Sequence, residues 1–215
     1  MDVFENPFFV LKATPRDRKA RIMELSEEMA LIGDQEIATS IRNTLTNPRN
    51  RLAAEMAWFP GLSPKRVDTL LGHIASGADP SKLEGIPPIC HANLLAAGLV
   101  NAAKSQKETL SYYVLHLAYK VEEIDPDEVM LAINEDRQAS GIPSITDIQL
   151  IENEISSRCR HFQRCITEQL NNFPSVEMVG TFETLIAEST IDGSMEAPRL
   201  INDLIDAYEL NVGGT

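Results

Sequence analysis

One dipeptide pattern constrains this chain more than any other: a small polar residue followed by proline. It occurs at Asn6-Pro7, Thr14-Pro15, Asn47-Pro48, Ser63-Pro64 and Asp125-Pro126. Asn, Thr, Ser and Asp side chains accept hydrogen bonds from the free N–H groups that open a helix. Proline suits the first helical position, where its missing N–H would have no partner. Each pair therefore reads as the start of a helix, and little of the chain is left for strands.

The intervals fit this reading. Pro7 opens a short helix carrying Phe8, Phe9, Val10 and Leu11. Thr14-Pro15 caps a helix over 15–32, with Ile22, Leu25, Met29 and Ile32 on one face; Gly33-Asp34 breaks it. The next helix, 35–45, spaces Ile37, Ile41 and Leu45 by four. Pro48 opens another, ending at Pro60-Gly61, and Ser63-Pro64 caps one to Ala75. A loop with a short turn precedes the Ala-rich "ICHANLLAAGLVNAA", which is apolar enough for a core. Helices follow at 107–123, 126–139 and 146–171, then from Pro174 to Glu188 and from Pro198 to Leu210. No alternating strand pattern is evident. The expected fold class is all-α: a small four-helix N-terminal unit followed by a bundle of six or seven helices.

Charge suggests two units. Residues 1–66 hold 10 Lys and Arg against 9 Asp and Glu, whereas residues 67–215 hold 9 against 23. "FPGLSPKR", 59–66, is the expected linker, giving domains 1–60 and 61–215. An acidic second domain is a poor fit for phosphate backbones or anionic lipid, so neither nucleic acid nor membrane is an expected partner. Three cysteines without metal-type spacing fit a reducing compartment. "MDVFENPFF" lacks the pattern of a secretory signal, and no apolar run reaches membrane-spanning length, so a cytoplasmic location is expected.

The stretch "NPFFVLKATPRDRKARIMELSEEMALIGDQEIATSIRNTLTNPRNRLAAEMAWF" resembles the J-domain family, the DnaJ-type module. The shared features are the Asn-Pro-aromatic first helix, the basic second helix, and the Asn-Pro-x-x-Arg join of the last two helices. The family carries His-Pro-Asp between its second and third helices, and this tripeptide stimulates the DnaK-type ATPase. The matching loop here is "IGDQE", 32–36, and His-Pro-Asp is absent from the whole chain. The resemblance thus implies a degenerate J-like unit without the usual co-chaperone activity. Arg16, Arg18, Lys19 and Arg21 stand where the family presents its basic face, as a solvated flank or a contact for an acidic partner.

Reactive clusters are sparse. "CRHFQRC", 159–165, puts His161 and Cys165 at i and i+4 on one helix face, with Cys159 turned away. A bundle-core site around Cys90, His91, His116, Cys159 and His161 would support an enzyme. Arg158, Arg160 and Arg164 read as a surface stripe pairing with Glu154 and Glu168. Trp58 and Phe59 end the fourth helix and would dock either the rest of the chain or a partner. Tyr112 and Tyr113 cannot both face one core. The leading expectation is a non-enzymatic protein–protein interaction module, an adaptor or regulator, without cofactor, metal or catalytic residues. Its candidate contacts are Arg16, Arg18, Lys19, Arg21, Trp58 and Phe59. The alternative is a co-chaperone that engages a DnaK-type ATPase without His-Pro-Asp.

Overall fold

The caps act largely where the sequence puts them. In the computed structural model, which describes residues 1–33, 35–105, 107–172, 180, 183–185, 187 and 197–212, Asn6 accepts from Phe8 N and opens α1, Pro7–Val10. Asn47 accepts from Arg49 N and Asn50 N at the start of α4, Pro48–Met56. Asp125 does the same for α8, Pro126–Ser140, which Gly141 closes in the left-handed conformation. Between them lie α2, Lys19–Ile32, α3, Gln35–Thr46, α5, Pro64–Ala75, α6, Pro88–Ser105, and α7, Lys107–Glu122. After α8 come α9, Ile148–Leu170, and α10, Arg199–Val212. The described residues are helix, turn and loop with no strand, so the protein is all-α. The helix read from Pro174 to Glu188 falls largely outside them.

Three local expectations are corrected. Thr14-Pro15 opens a turn rather than a helix: Asp17 takes both the N–H and the hydroxyl of Thr14, at 2.7 and 3.0 Å, and α2 begins only at Lys19. The α2 stripe buries Ile22 but leaves Ile32 in solvent, and the α3 core face is Ala38, Ile41 and Leu45, with Ile37 half out. Arg158 is buried rather than part of a surface stripe, and donates to Met1 O at 2.8 Å.

Two compact units group the residues differently from a division at residue 60. The first comprises Met1–Gly72 and Asp125–Arg158, the second His73–Ile124 and Cys159–Thr215. A buried polar clamp explains why 125–158 belongs with the N-terminal helices. Glu55 on α4 accepts from Arg51 Nε at 2.7 Å through one oxygen. Through the other it accepts from Arg137 Nε of α8 at 2.9 Å, with Arg137 Nη2 in ion-pair contact at 2.8 Å. Arg51 also donates to the Leu45 and Pro15 carbonyls, and Arg137 to those of Pro143 and Pro48. Every nitrogen of both guanidiniums thereby has a partner, the condition under which buried charges are tolerated. Asp136, beside Arg137, accepts from Arg16 Nε at 2.7 Å and from Gly61 N at 3.2 Å. Gly61 has φ +79°, and a Cβ there would stand 3.2 Å from Ala132 Cβ, so the turn after α4 needs glycine to approach α8.

In the second unit, α6 and α7 pair through Leu95, Leu99, Val114 and Leu117. Phe162 and Ile166 from α9 and Ile201 from α10 complete the core. Tyr113 turns into this core while Tyr112 stays 42% exposed, as their adjacency on one helix requires. No helix among the described residues is long and apolar enough to cross a membrane.

Candidate functional site: an apolar groove in the first unit

The short helix α1 ends in a way that shapes a groove beside it. Ala13 N donates to Phe8 O and Lys12 N to Phe9 O, a paired closure that puts residue 12 in the left-handed region. Glycine is the usual occupant of that position, but here it is Lys12, at φ 53°. The closure turns the chain so that Ala13, Thr14 and Pro15 run along one wall. Helix α5 forms the facing wall with Val67 and Leu71, one turn apart, and with Asp68 between them. Phe8 and Trp58 lie beneath it, both almost fully covered. The groove measures about 650 Å³, within the ~300–1,000 Å³ of ligand-sized clefts.

Its polar groups are few. Lys12 and Arg16 stand on the α1 side, Asp68 on α5, and Asp136 comes from α8. Arg16 is tied to Asp136, whose side chain is almost fully buried, while its own remains 43% exposed. That pair is a structural tie with one solvent-facing edge. The groove therefore offers apolar surface and rim charges of both signs.

The structure brings together two of the six candidate contacts, Arg16 and Trp58, which both line this groove. Trp58 is mostly covered, packed against Phe8 and Phe59 with ring centroids 6.1 and 5.1 Å away. Phe59 is fully buried and belongs to the core, not to a partner surface. Arg18, at the cap of α2, and Lys19, its first residue, are exposed and away from the groove lining. Arg21 is partly neutralised by Glu24 at 3.1 Å and Glu28 at 3.9 Å. Sequence reasoning missed Lys12, Asp68 and Asp136. The only local signal was the Val67-to-Leu71 spacing on α5. Asp136 is 120 residues from Arg16, beyond any periodicity.

The Cys and His residues sit in the second unit. His161 Nε2 and Cys165 Sγ are 3.5 Å apart on α9, as their spacing implied. His91 is buried and hydrogen-bonds through Nε2 to Pro80 O at 2.8 Å, so that nitrogen carries the proton. Burial holds His91 below the ordinary imidazole range and does the same to His116, whose ring lies 4.2 Å from that of Tyr112. Asp79 caps the 3₁₀ turn Pro80–Lys82, accepting from Ser81 N and Oγ at 3.0 and 2.6 Å. Burial works to raise its carboxyl, but these bonds outweigh burial and keep it low. Burial first, and then the bond to Asp79, push the Tyr113 phenol up. Gly98 lets the assembly close: a Cβ there would lie 3.0 Å from Pro80 Cγ and 3.1 Å from Tyr113 Cε1. The chemistry is that of a protonated phenol and a carboxylate fastening a turn onto α6 and α7. Among the described residues no three His, Cys, Asp or Glu are grouped so as to hold a metal ion, and the three cysteines are free thiols.

Fold and site together define an all-α protein of two helical units, the first carrying an apolar groove. Set against known protein families, characterised proteins and solved structures, the chain matches none of them.

Proposed function

We propose that this chain is a non-enzymatic protein–protein interaction module, an adaptor or regulator, whose first unit holds an apolar segment of a protein partner in the groove between the α1 turn and α5. The groove itself carries the reading. Its lining is largely apolar, with Leu71 over the covered Val67, Phe8 and Trp58, which suits apolar side chains, and its ion pair, Arg16 with Asp136, is committed to holding the unit together. The rim charges, Lys12 on one wall and Asp68 on the other, suit a polypeptide carrying both signs rather than a lipid or nucleic acid of one sign. The test is a photo-crosslinking residue placed at Leu71 in the cells that make the protein, with Thr69, exposed on the same helix, as control. The expected result is a discrete protein adduct from position 71 that is missing from 69. No protein adduct from 71, or the same adducts from both, refutes the reading.

A second reading, engagement of a DnaK-type ATPase, draws on Arg18 and Lys19, which are exposed at the start of α2 and, among the described residues, form no salt bridge. Stimulation of that ATPase by the purified protein, lost in Arg18→Glu/Lys19→Glu, would favour it over an adaptor role.

A further inference from the structure

The last turn of α2 carries the two most exposed large apolar side chains among the described residues. Leu31 and Ile32, in the last turn of α2, are 88% and 89% exposed, and Ile37, in the first turn of α3, is 49% exposed. The same two helices bury Ile22, Ile41 and Leu45, so the apolar stripe continues past the point where the first unit can cover it. Isolated surface leucines are ordinary; two adjacent aliphatic side chains almost wholly in solvent, with a third half-exposed in the first turn of the next helix, are not.

The sequence around this α2–α3 tip is predominantly acidic. Residues 21–40 contain five Asp and Glu against one cation, Arg21, which pairs with Glu24 and Glu28. Glu27, Glu28 and Glu36 are all exposed there. A second copy of the same tip would set like charges against each other, and an anionic lipid surface would be repelled. What complements the tip is an aliphatic face rimmed by cations. We infer that the α2–α3 tip is a docking surface for a protein helix with a Leu- or Ile-rich face flanked by Lys and Arg. It shares no residue with the groove, so it stands or falls independently of that reading.

The probes are two 18-residue helical peptides of identical leucine pattern, one with lysine and one with glutamate at the polar positions, titrated onto the full chain by fluorescence anisotropy. The Leu/Lys peptide should bind with micromolar affinity that weakens with salt, and the Leu/Glu peptide should not bind. Leu31→Gln/Ile32→Gln, which keeps helix propensity, should weaken the Leu/Lys peptide at least tenfold while leaving the thermal melt unchanged, because both side chains are solvated. Leu71→Ser, in the groove, should leave it unaffected. Equal binding by the tip variant and the native chain, or by both peptides, overturns the inference. So does a tip variant that melts earlier, since those side chains would then be packed.

Discussion

The Arg51–Glu55–Arg137 clamp makes a sharp prediction about the first unit. Glu55→Gln keeps the shape but removes the charge, and turns one of two acceptor oxygens into an NH2 donor facing a guanidinium. Arg51 and Arg137 are 1% and 3% exposed and cannot swing into water without abandoning four main-chain carbonyls. Breaking one partner of such a buried network costs roughly 3–5 kcal/mol, a large part of the roughly 5–15 kcal/mol that holds a domain folded. Replacing all the members of a buried ion network by apolar residues is often neutral. Here it should not be, because the guanidiniums also satisfy Leu45, Pro15, Pro48 and Pro143. Even if two of those carbonyls regain water, two lost donors at roughly 1–3 kcal/mol each leave a deficit of about 2–6 kcal/mol. The assay is urea unfolding followed by Trp58 fluorescence; the chain has one tryptophan, and it lies in the first unit. A loss below about 1 kcal/mol for Glu55→Gln, or native stability in Arg51→Met/Glu55→Leu/Arg137→Met, would refute the view that the clamp works by saturating the main chain.

Lys12→Gly should stabilise the first unit by about 0.5–1 kcal/mol in the same assay, because glycine takes the left-handed φ of 53° without a Cβ penalty. Gly98→Ala should destabilise the second unit by about 1–3 kcal/mol despite the better helix propensity of alanine, since its Cβ would press on Pro80 and Tyr113; circular dichroism melts would show it. Burial keeps His91 and His116 below the ordinary imidazole value of 6.5, so the folded state favours the neutral rings. Their contribution is therefore complete above pH 6.5 and is lost as pH falls through the lowered folded values. Melts of His91→Gln should show a weaker decline between pH 7 and pH 5 than the native chain; an equal decline would place the titration elsewhere.

The capping pairs made the helices legible because a cap is a local event. Asn6, Asn47 and Asp125 each satisfy N–H groups two or three residues ahead, and nothing distant is needed to see it. Thr14-Pro15 misled because a competing local bond was equally near: Asp17 captures Thr14 and holds the chain in a turn. The grouping of residues 125–158 with the N-terminal helices was not legible. It rests on Arg137 reaching Glu55 across 82 residues and Arg16 reaching Asp136 across 120, and a charge count along the chain carries no information about such reach.

The apolar stripes illustrate the same limit from the other side. Periodicity assigns Ile22, Leu25, Met29 and Ile32 to one face of α2, and the geometry of an ideal helix makes that correct. Whether a face is covered depends on how far the neighbouring elements extend, and Ile32, the last residue of α2, lies beyond that cover. The residues that sequence reasoning misplaced into the core, Ile32 and Ile37, are thus among those that give the tip its exposed surface. An amphipathic pattern that outruns its own unit leaves a chain two outcomes: solvent exposure at a free-energy cost, or cover from another polypeptide. If the second outcome applies to this tip, the exposed carboxylates Glu27 and Glu36 beside it favour basic cover.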